Sequence, residues 1–163
     1  LALIETETEV KDKINIGDLL ENRGRCPEVS ITNNFIKNCP NLRISSAKPI
    51  EIKNNTIETN WCGLIIADLM QYWYEAGRVF GANIENNIFR DATPFGKMNG
   101  IEIFHSKGEN NEYFHENISV VGNKFILKDG TAVKAENVKN FEMKDNMINT
   151  ENKVSFKNVF MKD

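Results

Sequence analysis

Imidazoles and thiols are scarce in this 163-residue chain, which carries two histidines and three cysteines. Cys26, Cys39 and Cys62 are odd in number and lack CxxC spacing, so small buried thiols beneath a turn fit them better than a zinc site or a disulfide framework. His105 and His115 have no third ligand at a recognisable spacing, which favours hydrogen bonding to a ligand or loop over metal binding. No metal and no cofactor are expected. The chain has no GxSxG nucleophile motif and no Gly-rich phosphate loop. A formal charge of −3 without a basic run speaks against a nucleic-acid partner. No apolar stretch approaches a membrane span, and Leu1-Ala2-Leu3-Ile4 soon meets Glu5, Glu7 and Glu9, so the opening is no signal peptide. The length suits a single domain able to bury a core. Because the first residue is Leu1 rather than Met and the repeat described next begins without a cap, we expect a piece of a larger polypeptide.

What the chain does have is one short phrase repeated five times. Val29-Ser30-Ile31-Thr32-Asn33-Asn34-Phe35-Ile36 is followed by 50–57, 82–89, 118–125 and 141–148, all aligned without a gap. The second Asn of the phrase recurs as Asn34, Asn55, Asn87, Asn123 and Asn146. Three residues earlier stand Ile31, Ile52, Ile84, Val120 and Met143; five earlier, Val29, Ile50, Ala82, Ile118 and Phe141; two later, Ile36, Ile57, Phe89, Phe125 and Ile148. Apolar residues at alternate positions indicate strands with one face buried. Neighbouring Asn columns are 21, 32, 36 and 23 residues apart, and the shortest interval is close to the period of a β-solenoid coil. Parallel stacking would put like residues on rungs about 4.8 Å apart, where an Asn column forms an amide ladder. Independent hairpins with Asn-rich turns would not require several columns to agree. The sequon-like Asn54-Asn55-Thr56 and Asn117-Ile118-Ser119 fall inside the repeat and are read as structural.

The expected organisation is all-β, a single and partial solenoid domain. Residues 1–24 form an incomplete first coil, 25–150 the regular coils, and 151–163 an edge strand or cover where Lys157 and Lys162 discourage further stacking. Each coil is expected to repeat two strands. The second of these is Leu42-Arg43-Ile44, then Leu64-Ile65-Ile66, Ile101-Glu102-Ile103 and Thr131-Ala132-Val133. The extra residues of the long intervals fall at corners, as excursions over 68–79, 91–100 and 105–116. Loops on a rigid solenoid are where binding and catalysis usually reside.

The first excursion contains Trp73 and the pair Tyr72 and Tyr74, with Asp68, Glu75 and Arg78 nearby. Aromatic faces beside carboxylates and a guanidinium suit a sugar site, and they would equally serve to fold the loop back on the solenoid. Asp68 directly follows the strand Leu64-Ile66 and so sits on a fixed element. Desolvation there would raise its pKa, as a general acid needs, and a nearby Arg would lower it. His105 and His115 border the third excursion.

These residues resemble a family. The order of an Asn-Asn corner, a strand ending in Asp68, Tyr72-Trp73-Tyr74-Glu75-Ala76-Gly77-Arg78-Val79, and then Ile84-Glu85-Asn86-Asn87-Ile88-Phe89 is similar to the β-helix of glycoside hydrolase family 110, α-galactosidase-type exo-enzymes. The likeness continues through Gly100-Ile101-Glu102-Ile103 and His115-Glu116-Asn117-Ile118, covering roughly 21–148. Two departures stand out: Ala67 where the family commonly has Gly, and Cys39-Pro40-Asn41-Leu42 where an Arg-rich turn follows the corner. The resemblance implies a right-handed parallel β-helix of pectin-lyase-like type and an extracellular or periplasmic location. It also implies inverting hydrolysis of a terminal glycosidic bond by two carboxyl groups about 6.5–9.5 Å apart. On it, Asp68 is one catalytic carboxylate and Glu75 a weaker candidate. Trp73, Tyr74, Arg78, His105 and His115 would contact substrate, and the partner is a carbohydrate, with further coils of the same polypeptide. The competing readings are a non-catalytic carbohydrate-binding or structural β-helix module and, less well supported, a polysaccharide lyase using Arg78 and His105.

Overall fold

A computed structural model describes residues 28–68, 77–92, 98–105 and 113–162. The chain winds through parallel rungs with three strands to a turn. Rung one holds β1 (Val29–Thr32), β2 (Phe35–Lys37) and β3 (Leu42–Ile44); rung two, β4 (Ile50–Lys53), β5 (Thr56–Thr59) and β6 (Cys62–Ala67); rung three, β7 (Ala82–Glu85), β8 (Ile88–Asp91) and β9 (Asn99–Phe104). Rung four follows with β10 (His115–Glu116), β11 (Ile118–Val121), β12 (Lys124–Ile126) and the long β13 (Val133–Lys144). Then come β14 (Met147–Ile148) and β15 (Val154–Met161). One face stacks β1-β4-β7-β11-β13, a second β2-β5-β8-β12-β14, and a third β3-β6-β9-β13 with β15 at its edge. β13 carries the chain round the corner from third face to first, bending where Asn137 and Asn140 take φ of 57° and 54°.

The register reproduces the sequence columns. Val29 pairs with Ile50, Ile50 with Ala82 and Ala82 with Ile118, while Ile36 pairs with Ile57, Ile57 with Phe89 and Phe89 with Phe125. Two expectations need correction. Each coil has three strands rather than two, because the residues after the Asn corner form their own strand. With only two to four residues and one inward column, that strand leaves too little alternation to read. The fourth copy on the third face begins at Val133, which pairs with Ile101, so the strand is Val133-Lys134-Ala135 rather than 131–133. Ala132 is buried as well, which hides the register.

The Asn ladder runs unbroken through five rungs. Asn55 Oδ1 accepts from the backbone N–H and Nδ2 of Asn34 at 2.9 and 3.1 Å; Asn87, Asn123 and Asn146 repeat the pattern, each for the rung before it. The preceding residues, Asn33, Asn54, Asn86, Gly122 and Asp145, all have φ between 54° and 66°. This left-handed region favours Gly, Asn and Asp, which is why the corner reads as it does. Behind the ladder, the rings of Phe89 and Phe125 stack at 5.1 Å and 7°. Gly63 and Gly100 make room for them, since a Cβ on Gly100 would come within 2.6 Å of Phe125 and 2.4 Å of the Ala132 carbonyl. On the outer surface of the second face, Glu58 sits between Lys37 and Arg90, with Nζ 3.2 Å and Nη2 2.6 Å from its carboxylate. These hydrogen bonds, Lys37 first, hold its pKa below the ordinary carboxylate value. At β15 the core columns open: Val154 and Phe156 follow the buried Val133 and Ala135 but are 45% and 40% exposed.

Candidate functional site

The third face delivers its strands to the corner where the first and third excursions leave. β6 and β9 pair in register up to Ala67 and Phe104, so the next residues, Asp68 and His105, occupy equivalent places on successive rungs. Asp68 is wholly buried, and its Oδ2 lies 3.1 Å from His105 Nδ1. The contact is close but off the hydrogen-bond axis, so Nδ1 has no aligned hydrogen-bond partner. His105 keeps 11% of its side chain exposed, which makes it the outer member of the pair.

Phe114 organises the remaining groups. His105 stacks on its ring at 4.0 Å and 15°, the Arg78 guanidinium carbon sits 5.1 Å from its centroid, and His115 meets it edge-on at 5.0 Å. The backbone holds this arrangement in place. Phe114 N–H donates to Asn137 O, Glu116 N–H to Val79 O, and the Ser45 hydroxyl to Gly77 O at 3.0 Å. His115 is fully buried, with Val79 N–H donating to Nδ1 at 3.2 Å and Nε2 lying 3.1 Å from Phe104 O. Burial, as the largest influence, pushes its pKa down to about 4.

The structure thus brings together four of the residues singled out in the sequence, Asp68, Arg78, His105 and His115. The positions of Trp73, Tyr74 and Glu75 lie outside the described residues. His115 differs from expectation: both ring nitrogens are spent on the backbone, which leaves neither for a sugar hydroxyl. Phe114 escaped the sequence reading, as did the corner column Ser46, Asp68, His105, Asn137 and Asn158. The signal for the column was present, because each member stands four residues after Leu42, Leu64, Ile101, Val133 or Val154. Beside the site, Cys62 packs with Ile65, Ala67 and Phe104, and burial followed by the charge of Glu102 pushes its thiol up to about 12. It is an inert apolar filler there. Cys39 donates to Asn41 O. Among the described residues, no group of three His, Cys, Asp or Glu could hold a metal ion.

The depressed pKa of His115 has a consequence for stability. An unfolded imidazole titrates near about 6.5, so between about 6.5 and 4 the unfolded chain binds a proton that the folded chain refuses. The contribution is complete above about 6.5, declines as the pH falls and is lost by about 4. At the usual conversion it amounts to about 3 kcal/mol. Urea unfolding at a series of pH values should show this decline, and His115→Gln should flatten it over that window. An unchanged pH dependence in the variant would contradict the assignment.

Comparison with known proteins agrees with this architecture. Residues 2–139 match the family described as the right-handed β-helix region. The chain is 30% identical over 135 residues to an α-1,3-galactosidase A of Streptomyces avermitilis, covering 81% of this chain and 21% of that protein. It is 30% identical over 138 residues to an α-1,3-galactosidase A of Bacteroides thetaiotaomicron (80% and 23%). Against an α-1,3-galactosidase B of the same organism it is 26% identical over 154 residues (90% and 25%). It therefore spans about a fifth to a quarter of the length of these curated relatives. No solved structure matches. The chain belongs to the right-handed β-helix family, as a divergent relative of α-1,3-galactosidases.

Proposed function

We propose that this β-helix carries part of the active site of an inverting, exo-acting glycoside hydrolase that removes a terminal α-linked galactose, with Asp68 as one of its two catalytic carboxyl groups. The observation that carries the reading is the placement of Asp68. The carboxylate is held at a strand end, buried, 3.1 Å from His105 and at the corner where the chain leaves the paired strands on consecutive rungs. A catalytic carboxylate needs that fixed position, because a loop tip would not hold it in line with a glycosidic bond. The similarity to α-1,3-galactosidases covers this stretch and supports the choice of sugar.

In this reaction one carboxylic acid gives its proton to the leaving oxygen as the glycosidic bond breaks. The other carboxylate takes a proton from water, whose oxygen attacks the anomeric carbon from the opposite face. Glu75 is the candidate for the second group. Arg78 and His105 orient sugar hydroxyls beside Asp68, Trp73 and Tyr74 shape the pocket, and His115 braces the corner without touching substrate. Further coils of a longer polypeptide complete the site. The test is proton NMR of the intact protein turning over a terminal α-linked aryl galactoside. We expect β-galactose to appear first and the α anomer only by later mutarotation. If α-galactose forms first, inversion is excluded; no turnover, with binding retained, would make this a carbohydrate-binding module.

A further inference from the structure

We propose that His115, as the neutral Nε2–H tautomer, is a positioning residue that ties Arg78 and His105 together around Asp68. Its place in catalysis rests on the function proposed above, while the tie itself rests on geometry alone. Val79 offers a backbone N–H to Nδ1, and Phe104 offers a carbonyl oxygen to Nε2. An amide N–H can only donate and a carbonyl can only accept, so Nδ1 is bare and Nε2 carries the hydrogen.

The two backbone partners are the immediate neighbours of the functional side chains. Val79 follows Arg78, on the return leg of the first excursion; Phe104 precedes His105, at the departure of the third. Sheet pairing holds the chain up to Ala67 and Phe104 on one side and takes it up again at Ala82 on the other. Between those points the imidazole joins the two segments, reinforced by Glu116 N–H donating to Val79 O. Arg78 and His105 then share the ring of Phe114. The charged and titratable groups facing His115 are Asp68, His105 and Arg78. Protonated His115 would present N–H to N–H at Val79 and release that segment. A Gln side chain offers one donor and one acceptor and can replace the tie, whereas Phe offers neither.

The chain contains only these two histidines, so NMR of the 163-residue chain separates them directly. Nitrogen–proton long-range spectra should show His115 as the Nε2–H tautomer. His115→Phe should shift the ring signals of His105 and Phe114, and His115→Gln should keep them near wild type. A Nδ1–H tautomer, or His105 signals unmoved in a folded His115→Phe variant, would overturn the proposal. If that variant does not fold, the wild type decides. His105 signals that move together with the acid titration of His115 support the tie, and independent movement overturns it. In the intact protein, His115→Phe should lower kcat by about 100-fold, the scale of a misplaced site, with KM little changed. His115→Gln should recover most of that loss; an equal loss in both variants would overturn positioning. A wild type without turnover removes the hydrolase reading and leaves the NMR result to decide the tie.

Discussion

Replacing Asn87 with Ala is expected to lower the unfolding free energy by about 3–5 kcal/mol, a loss at the high end for a single substitution. The side chain is fully buried in the middle of the ladder. Its Oδ1 accepts from Asn55 N–H and Nδ2, both at 2.9 Å, and its Nδ2 donates to Ile52 O at 2.8 Å and Asn123 Oδ1 at 3.0 Å. Two of these groups keep a partner after truncation. Asn55 Nδ2 still reaches Ile31 O, and Asn123 Oδ1 still accepts the Asn87 N–H. The Asn55 backbone N–H loses its side-chain acceptor and Ile52 O loses its side-chain donor, both at wholly buried residues. Each such loss costs about 1–3 kcal/mol, and the cavity adds to it. Asn34, at the exposed end of the ladder, is the control: water replaces its lost bonds, so Asn34→Ala should cost about 1 kcal/mol or less. Urea unfolding of both variants checks this, and equal losses would contradict the picture of a buried, mutually supporting ladder.

The same ladder explains what the sequence reveals. An amide stack works only if every rung repeats the residue, so Asn34, Asn55, Asn87, Asn123 and Asn146 are legible without a structure, and the inward columns follow from them. The second face is hidden because strands such as Phe35–Lys37 have a single inward residue and show no alternation. β13 is misread by two residues because Ala132, Val133 and Ala135 are all small and buried, and burial alone does not fix register.

The site is legible to a similar degree. Asp68 stands out because it ends a repeated strand, and counting four residues on from Leu64 and Ile101 pairs it with His105. The role of His115 is not readable in that way. A histidine bordering a loop reads the same whether its nitrogens meet a ligand or the backbone, and only the positions of Val79 and Phe104 distinguish the two. Phe114 is hidden for a related reason, since the third excursion breaks the register that would have placed it over His105.

The second large effect concerns Asp68. Asn has nearly the same shape and can still lie against His105, so Asp68→Asn should fold, but an amide neither gives up nor takes a proton at pH 7. Loss of one general acid or base costs about 10²–10⁴ in rate, and we expect kcat to fall by about 10³ with substrate binding largely kept. Urea unfolding of the variant alongside wild type guards against mistaking a folding defect for a chemical one. The most direct measurement is therefore the steady-state turnover of a terminal α-linked aryl galactoside by the intact protein and by its Asp68→Asn variant. The account predicts turnover by the wild type and a loss of about 10³ in kcat in the folded variant. Wild-type turnover that survives unchanged in the folded variant would remove Asp68 from the chemistry and contradict the account.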